Sequence, residues 1–532
     1  MIFAFLLSLS VCGPLDAIAT EPAARPNILW IVIENVGPDF GCYGAADVAT
    51  PHLDGFAREA VRFERAFATA PCCSPSRSAF LTGAYQNTIG AHHHSSHFLP
   101  GLDAGHTLPP GLRPLPQLMA AAGYATANLE RVGDEILGTG KVELNFDVRG
   151  PLLRPIRPAG NSPRSRQNAA NSARLYEVTQ WNDLPTDRPW FAQVNLPTVE
   201  KSRGRGWTGS ADVPWYGQTH PATTDPASVH LPPYYPDTPR VRKDWAGYVD
   251  AVNASDDRVG RLLAELARSP WADSTVVFIF GDNGRLEHRG HGWCYDSGDR
   301  VPLLVRWPAD VTPPRGYKAG GTVSRVVSLV DLPATTLAIA GVASPRDRNG
   351  DVPGEWVSRP LFGPDAAARS FVFSLRDRHD EVPARVRAVR SKRWRYIRNF
   401  TPHVTTMTLH RYKEASYPVV PVIRERAAAG QLSGPPLQLM QPQLPREEFY
   451  DLEADPFEIR NLAESHDPEV LAAFAEHRDA LADWIQETGD EQLPAEPPGV
   501  LDWWIEAMDD RFGTPAWASE EPDAPREPAV TE

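Results

Sequence analysis

The sequence predicts an α/β fold, in which a large mixed or parallel sheet is flanked by helices and a small C-terminal α+β subdomain follows. Two runs of β-branched and aromatic residues carry this prediction: PNILWIVIENVG over 26–37 and STVVFIFGDNG over 274–284. Runs of this kind, without polar alternation, are typical of strands that are buried on both faces. Helical stretches lie between them, and ligands of such sheets gather at the carboxyl ends of the strands.

The remaining elements of the main domain, predicted over 26–365, can be taken in chain order. Helices are predicted over 53–65, 114–123 and 241–268, and further strands over 188–196 and 300–308. Residues 140–240 are rich in Pro, Arg, Asn and Ser, which predicts long surface loops bordering a site.

The pattern changes near residue 370, where the predicted subdomain over 366–500 begins. The segments RSFVFSL, VRAVRSKRWRYIRNF and EEFYDLEADP indicate strands of a smaller antiparallel sheet, and a helix is predicted over 467–487. Residues 515–532 are rich in Pro, Glu and Ala, which predicts a disordered tail.

The N-terminus has the features of a secretory signal. Residues 2–11 are apolar but too short to span a bilayer, and Ala17-Ile18-Ala19 offers a small-x-small cleavage site. We therefore interpret residues 1–19 as a signal peptide and expect a periplasmic or secreted protein. No later segment is long and apolar enough to predict a membrane helix.

Charge and cysteine content exclude other classes. The 532 residues carry a net charge of −14, which argues against a general nucleic-acid binder, because phosphate binding requires a basic face. Four cysteines remain after the predicted signal. They are too few for a disulfide scaffold, although one bridge in an oxidising compartment stays open.

Two acid–amide pairs follow the two central strands. Glu34-Asn35 and Asp282-Asn283 each place two oxygen ligands at the end of a buried apolar run. Four converging side-chain oxygens suit a hard cation, Ca²⁺ or Mg²⁺. The alternative is that these residues only cap strands and turns, as Asp and Asn often do.

A third motif favours the metal interpretation. Residues 73–83, CSPSRSAFLTG, resemble the signature of the type I sulfatases, in which the cysteine is oxidised to the catalytic aldehyde formylglycine. The resemblance extends over nearly the whole mature chain. The stretches 89–96 (IGAHHHSS) and those after residue 375 are similar to the bacterial branch nearest the heparan N-sulfatases.

The resemblance implies a fold, a mechanism and a set of residues. It implies an alkaline-phosphatase-like core, a formylglycine gem-diol at Cys73 as nucleophile, and Arg77 holding that group. The implied metal ligands, with Ca²⁺ preferred, are Glu34, Asn35, Asp282, Asn283 and Cys73 itself in its modified form. A formylglycine-generating enzyme is the implied maturation partner.

The two adjacent cysteines are interpreted differently. The alternatives for Cys73 are a buried structural thiol or a vicinal disulfide with Cys72. Cys72 does not fit the signature, because the Pro and Arg then fall one place too far away. We expect it to be a small packing residue.

The chain departs from the family at several site positions. Asn35 stands where the family has an aspartate, which should weaken cation affinity. His291 stands in the place of a sulfate-binding lysine and keeps a donor whose charge depends on pH. Arg131 is the expected counterpart of another lysine, and Glu200 is the nearest equivalent of a histidine.

Other histidines are candidates for the missing imidazole. His220 or a member of the run His92-His93-His94 is a candidate substrate-binding residue, although each alone can be an ordinary loop residue.

These observations predict an exported sulfatase that hydrolyses a sulfate ester or sulfamate, on a small molecule or a sulfated carbohydrate. Two other functions stay open. One is a phosphonate or phosphodiester hydrolase with the same nucleophile. The other is a pseudo-sulfatase that binds sulfated glycans without cleaving them, which the departures at Asn35, Glu200 and His291 would favour.

Overall fold

The computed structural model describes residues 25–519, except for 97–105, 159–161, 198, 202–206, 208–221, 347–348, 365, 367 and 494. A large sheet and a small sheet organise the described chain. The strands of the large sheet are β1 (Asn27–Ile33), β2 (Ala60–Phe67), β3 (Ala125–Val132), β4 (Glu135–Ile136), β5 (Val178–Gln180), β6 (Trp190–Leu196), β7 (Thr275–Gly281), β8 (Arg300–Val301), β9 (Leu303–Arg306) and β10 (Thr322–Ser328). The small sheet consists of β11 (Val372–Arg376), β12 (Val386–Arg390), β13 (Trp394–Asn399) and β14 (Glu447–Asp451).

Helices cover the large sheet on both faces and continue into the C-terminal part. They are α1 (Pro51–Glu59), α2 (Cys73–Thr82), α3 (Leu115–Ala121), α4 (Pro163–Leu175), α5 (Pro239–Arg268), α6 (Asp296–Asp299), α7 (Leu332–Ile339), α8 (Arg411–Ser416), α9 (Val419–Ala428), α10 (Pro435–Gln438), α11 (Pro468–Glu487), α12 (Val500–Phe512) and α13 (Ala516–Ser519). Among these helices, none combines the length and the apolar character that crossing a membrane requires.

The large sheet is mixed, and β1 lies near its centre. Its strand order is β10-β2-β9-β7-β1-β6-β3-β4, with β5 beside β3 and β8 beside β2. β1 runs parallel to β6 and β7, whereas β9 runs antiparallel to both β7 and β2. The α/β class, the large sheet flanked by helices and the separate small antiparallel sheet are therefore confirmed.

β1 shows why the two central strands lack polar alternation. All seven of its residues are buried. Leu29 and Ile31 point into the hydrophobic core that includes α5, while Trp30 and Val32 point into the core on the opposite face. The Trp30 ring packs edge-on against Phe191, with 5.2 Å between ring centroids. Both faces thus exclude water, which favours apolar side chains at every position.

Several predicted bounds were wrong. The helix predicted over 53–65 ends at Glu59, and the chain continues directly as β2. The predicted loop region 140–240 contains α4, which begins after the N-cap Ser162. The tail predicted as disordered begins with the short helix α13, and its remainder from residue 520 lies outside the described residues, as does the predicted signal peptide.

A buried arginine of the small sheet contacts the segment that follows β7. Arg395, on β13, donates to Asp299 Oδ2 at 2.8 Å and to Asp296 Oδ1 at 3.3 Å, and its Nε lies 3.4 Å from Glu458 Oε1. Burial raises the pKa of Asp299 to about 6, although Arg395 opposes the rise. The arginine therefore compensates acidic groups that are cut off from water.

We predict that Arg395→Met destabilises the protein by about 3–5 kcal/mol, because it leaves buried carboxylates without their cation. The matched control is Arg398→Met on the same strand, whose side chain is exposed. Urea unfolding followed by tryptophan fluorescence measures both variants. Equal midpoints for the two variants would contradict the prediction.

Candidate functional site

The two acid–amide pairs meet at one edge of the large sheet. β1 and β7 are parallel neighbours, and Ile33 lies opposite Gly281 in their register. The residues that follow, Glu34-Asn35 and Asp282-Asn283, therefore leave the sheet side by side. All four are buried. The sequence prediction that these residues converge is confirmed as geometry.

Direct hydrogen bonds join the two pairs. The Asn35 N–H donates to Asp282 Oδ1 at 3.0 Å, and the Asn283 side-chain amide donates to Asn35 Oδ1 at 3.0 Å. Asn35 has a φ of 56°, in the left-handed region that asparagine tolerates better than most residues. This backbone turn directs its amide toward the second pair.

Cys73 lies at the N-terminus of α2, directed at this cluster. The helix begins at Cys73 itself. The Cys73 Sγ lies 3.9 Å from Asn35 Oδ1, and Ser76 donates from its hydroxyl to the Asp282 carbonyl at 2.5 Å. The positive end of the helix dipole thus lies beneath the thiol, where it favours negative charge.

Arg77 forms the link between this helix and the strand ends. Its Nη2 and Nε donate to Asp282 Oδ2 at 2.8 and 3.0 Å, and its Nη1 donates to Asn195 Oδ1 at 2.7 Å. Nη2 also lies 3.6 Å from Glu34 Oε1. Burial works against the charge of Arg77, but Asp282 and Glu34 outweigh it and raise the pKa of the guanidinium. Arg77 therefore stays a cation in the cluster.

Lys141 is the residue that sequence reasoning missed. Its ammonium donates to Glu34 Oε2 at 2.9 Å and lies 3.1 Å from Glu143 Oε2. It comes from the loop after β4, in the segment GTGKVE. The sequence feature that could have pointed to Lys141 was a single lysine in a glycine-containing loop after the edge of the sheet.

The charge of Lys141 is set by the same cluster. Burial lowers the pKa of its ammonium, but Cys73, Glu34 and Glu200 outweigh burial and raise it, and Arg77 opposes the rise. Lys141 is therefore protonated throughout the physiological range. Because Glu200 raises the pKa of Lys141, this predicted residue also acts electrostatically on the site.

The Cys73 thiol is strongly disfavoured as a thiolate. Burial raises its pKa to about 11; Lys141 and Arg77 act against the rise, while Asp282 and Glu34 add to it. A cysteine that attacked as a thiolate would need a pKa near or below neutrality. The unmodified thiol is therefore unsuited to act as a nucleophile here.

The cluster fits a hard cation. Glu34 Oε1 and Asn283 Oδ1 are buried acceptors that have no hydrogen-bond donor among the described residues. Oxygen atoms of two carboxylates and two amides match the ligand preference of Ca²⁺. Arg77 and Lys141 already neutralise part of the carboxylate charge, so this donor set should bind the cation more weakly than one with a third carboxylate.

His291 lies in a loop that contacts the segment leading into α2. The neighbouring Gly292 N–H donates to the Pro71 carbonyl at 2.7 Å. Burial, and then the nearby cation Lys413, lower the pKa of His291 well below its ordinary value. The ring is therefore neutral at physiological pH. The expectation that its charge depends on pH was wrong, because burial disfavours the charged form.

Arg131 is not brought to this cluster. It lies on β3 with an exposed side chain, and its Nη2 donates to the Asp134 carbonyl at 3.2 Å. Glu130 and Arg131 are the two exposed residues of β3, and they lie near its end, just before the turn into β4. Lys141 is the cation that approaches the strand ends instead.

The histidine run divides between different surroundings. The rings of His92 and His93 lie against each other, with 4.3 Å between centroids, and His93 Nδ1 lies 3.7 Å from Glu496 Oε2. His94 instead contacts Asp380, with 3.0 Å between Nδ1 and Oδ1. His220 lies outside the described residues.

The structure also separates the alternatives for the cysteines. Cys42, Cys72, Cys73 and Cys294 are all free thiols, so the vicinal disulfide is not formed. Cys72 is buried at the N-cap of α2, as expected of a packing residue.

Comparisons with known proteins agree with this geometry. A family model described as Sulfatase matches residues 26–342. An ulvan-active sulfatase of Formosa agariphila is 27% identical over 498 residues, covering 88% of this chain and 76% of the relative. Human N-sulphoglucosamine sulphohydrolase is 29% identical over 512 residues, covering 90% of this chain and 93% of the relative.

The fold matches solved structures over most of its length. One is a protein of Bacteroides thetaiotaomicron, solved in a study of the metabolism of multiple glycosaminoglycans. It superposes with a TM-score of 0.56 at 17% identity and covers 92% of this chain and 100% of that chain. At this identity the likeness speaks for the fold alone.

We predict that chains that keep the Cys73 thiol react slowly with iodoacetamide at pH 8, because only about 0.1% of a thiol of pKa 11 is ionised there. The rate should rise about tenfold per pH unit. Lys141→Met should slow it further at every pH, because Lys141 lowers the pKa of Cys73.

Mass spectrometry of the peptide that contains Cys73, after timed alkylation, measures these rates. Lys392→Met, which alters an exposed lysine, is the control and should leave them unchanged. A rate that is already maximal at pH 7 would contradict the prediction.

Proposed function

The chain belongs to the sulfatase family, and we propose that it hydrolyses a sulfate ester or sulfamate of a sulfated carbohydrate, with Cys73 as the precursor of its nucleophile. Sulfatases are sulfuric ester hydrolases, and this is the enzyme class of the chain. The observation that carries the proposal is the position of Cys73: at a helix N-terminus, beside Asn35 and within the field of Lys141 and Arg77.

The signature motif CSPSRSAFLTG at residues 73–83 supports conversion of Cys73 to formylglycine. A thiol that is almost wholly protonated at neutral pH is a poor nucleophile in the family's reaction. Formylglycine, when hydrated, supplies a hydroxyl nucleophile and a second hydroxyl that expels sulfate. Arg77 is placed to orient this group, because the arginine follows it by one turn of α2 and is itself fixed by Asp282.

The charged residues of the site have separate tasks. Glu34, Asn35, Asp282 and Asn283 would hold Ca²⁺, with Mg²⁺ as the alternative. The cation supplies positive charge that polarises the sulfate group. Lys141 is a fixed ammonium beside Glu34 and adds positive charge for an anionic substrate.

A neutral histidine and a carboxylate complete the proposed substrate site. His291 is buried and neutral, so it can donate one hydrogen bond to a sulfate oxygen without adding charge. Glu200 is a candidate for a hydrogen bond to the leaving group, since its charge acts on Lys141.

Carbohydrate is the proposed substrate class because of the relatives. The name of the human relative states a sulfated glucosamine as its substrate, and that relative aligns over 90% of this chain. The bacterial relative is named for its activity on ulvan. We infer that this chain acts on a sulfated sugar, and that a phosphonate or phosphodiester is the weaker candidate.

A specific observation favours one other function. Asn35 removes a carboxylate from the cation site, and the two remaining carboxylates already pair with Arg77 and Lys141. A protein that binds sulfated glycans without cleaving them would tolerate such a weakened site. The experiments below separate the two functions.

We also propose that residues 1–19 direct export, on the basis of the apolar run and the small-residue cleavage site in the sequence. N-terminal sequencing of protein recovered from the periplasm or the medium tests this proposal. A mature protein that keeps residues 1–19 would contradict it.

We predict that Cys73→Ala abolishes turnover of an aryl sulfate, whereas Cys72→Ala retains most of it. Both residues are buried and adjacent, so the pair separates loss of the nucleophile from loss of packing. Mass spectrometry of natively expressed protein should find formylglycine at position 73. An unmodified thiol in fully active protein, or faster turnover of an aryl phosphonate, would contradict the proposed function.

We predict that a chelator abolishes turnover and that Asn35→Asp lowers the Ca²⁺ concentration for half-maximal activity by roughly tenfold, because it adds a carboxylate to the donor set. Asn349→Asp, at an exposed position, is the matched control for added charge. An inert wild-type protein that Asn35→Asp activates would support the glycan-binding alternative instead.

A further inference from the structure

A second cluster of metal-ligating side chains lies apart from the two acid–amide pairs, centred on Asp380. Asp380 Oδ1 lies 3.0 Å from His94 Nδ1, and Oδ2 lies 3.9 Å from His379 Nε2. One ligand atom from each of these three residues lies within 4.8 Å of the others. All three residues are buried.

The backbone holds these ligands in place. His379 and Val382 exchange two hydrogen bonds of 3.0 Å, which close a tight turn with Asp380 inside it. Arg378 then clamps the turn to the histidine run: its carbonyl accepts from the His94 N–H at 2.9 Å, and its Nη1 donates to the Asp380 carbonyl at 3.0 Å. The geometry of the cluster is therefore fixed by groups outside it.

His291 supplies an independent observation. It is 6% exposed, and neither of its ring nitrogens has a hydrogen-bond partner among the described residues. Its ring lies against the ring of His379, with 4.9 Å between centroids. Gly292 permits this approach, because a Cβ at that position would collide with His379 Nδ1. A buried imidazole without partners requires a ligand or another polar group.

We propose that His94, His379 and Asp380 bind a zinc-class divalent cation, with a water as the fourth ligand and the His291 ring beside the site. Zn²⁺ prefers four ligands in tetrahedral geometry, at about 2.0–2.2 Å from imidazole nitrogen and carboxylate oxygen. Two imidazoles and one carboxylate suit Zn²⁺ or Co²⁺ better than Ca²⁺, which takes oxygen ligands. The site is distinct from the oxygen-ligand cluster at Glu34.

Outer contacts support the ligand roles. His94 Nε2 lies 3.3 Å from Ser95 Oγ, so its N–H can donate to that hydroxyl while Nδ1 binds the ion. His410 Nε2 lies 3.0 Å from Asp380 Oδ2 and can orient the carboxylate. Such partners are a regular feature of metal-binding imidazoles.

The bound ion would join two segments next to the nucleophile. These are the histidine run and the turn with His379, against which the His291 ring packs. The histidine run is also joined to α2, because the Ser95 N–H donates to Ser74 Oγ at 2.8 Å. The ion would therefore stiffen the surroundings of Cys73 without contacting it.

The test uses untagged, full-length protein saturated with Ca²⁺, so that the oxygen-ligand site is filled, and then dialysed against Zn²⁺ or Co²⁺. We expect one zinc per chain by elemental analysis, and the intense visible bands of tetrahedral Co²⁺. His379→Ala should lose both signals. His94→Gln should lose them too, although its amide can still donate to Asp380, which guards against a folding defect.

Two matched controls define the site. His93→Ala removes the neighbouring histidine of the same run, and His403→Ala removes an exposed histidine. Both should keep the zinc and the cobalt bands. Absence of stoichiometric zinc in the wild type, or zinc retained by His379→Ala and His94→Gln, would overturn the proposal. These readouts do not involve turnover, so they are independent of the proposed function.

Discussion

The buried ion pair between Arg77 and Asp282 is the contact on which the site depends. It joins the helix that carries Cys73 to the end of β7, and Arg77 reaches Asn195 on β6 from the same guanidinium. Three elements that are distant in sequence are thereby fixed to one another. Removing one partner of a buried pair of this kind costs about 3–5 kcal/mol, because the other charge is left uncompensated, so the two residues are retained together and align the cluster.

The other charges of the site follow from that pair. With Asp282 paired to Arg77, Glu34 pairs with Lys141, and each carboxylate has a cation within 3 Å. Arg395 likewise pairs a buried cation of the small sheet with the carboxylates that follow β7. The buried charges of these two clusters occur as compensated groups, because an isolated charge would be too costly to remove from water.

The sequence predicted what depends on local pattern. The strand ends follow from apolar runs and the importance of Cys73 follows from a short motif, so the convergence of Asn35 and Asp282 could be anticipated. Lys141 could not, because a loop brings it to Glu34 over 107 positions of sequence. Arg131 looked suitable as a cation, but it lies with Glu130 at the exposed end of β3 and contacts solvent. Long-range packing, rather than local pattern, decides which cation approaches the site.

The burial of α2 has a consequence for the order of events in the life of the chain. All ten of its residues are buried, including Cys73 and the residues that surround it in the motif. An enzyme acting on the folded protein would find Cys73 and the residues around it inaccessible. The proposed oxidation of Cys73 would therefore have to precede folding of this helix, and a chain that folds first would keep its thiol.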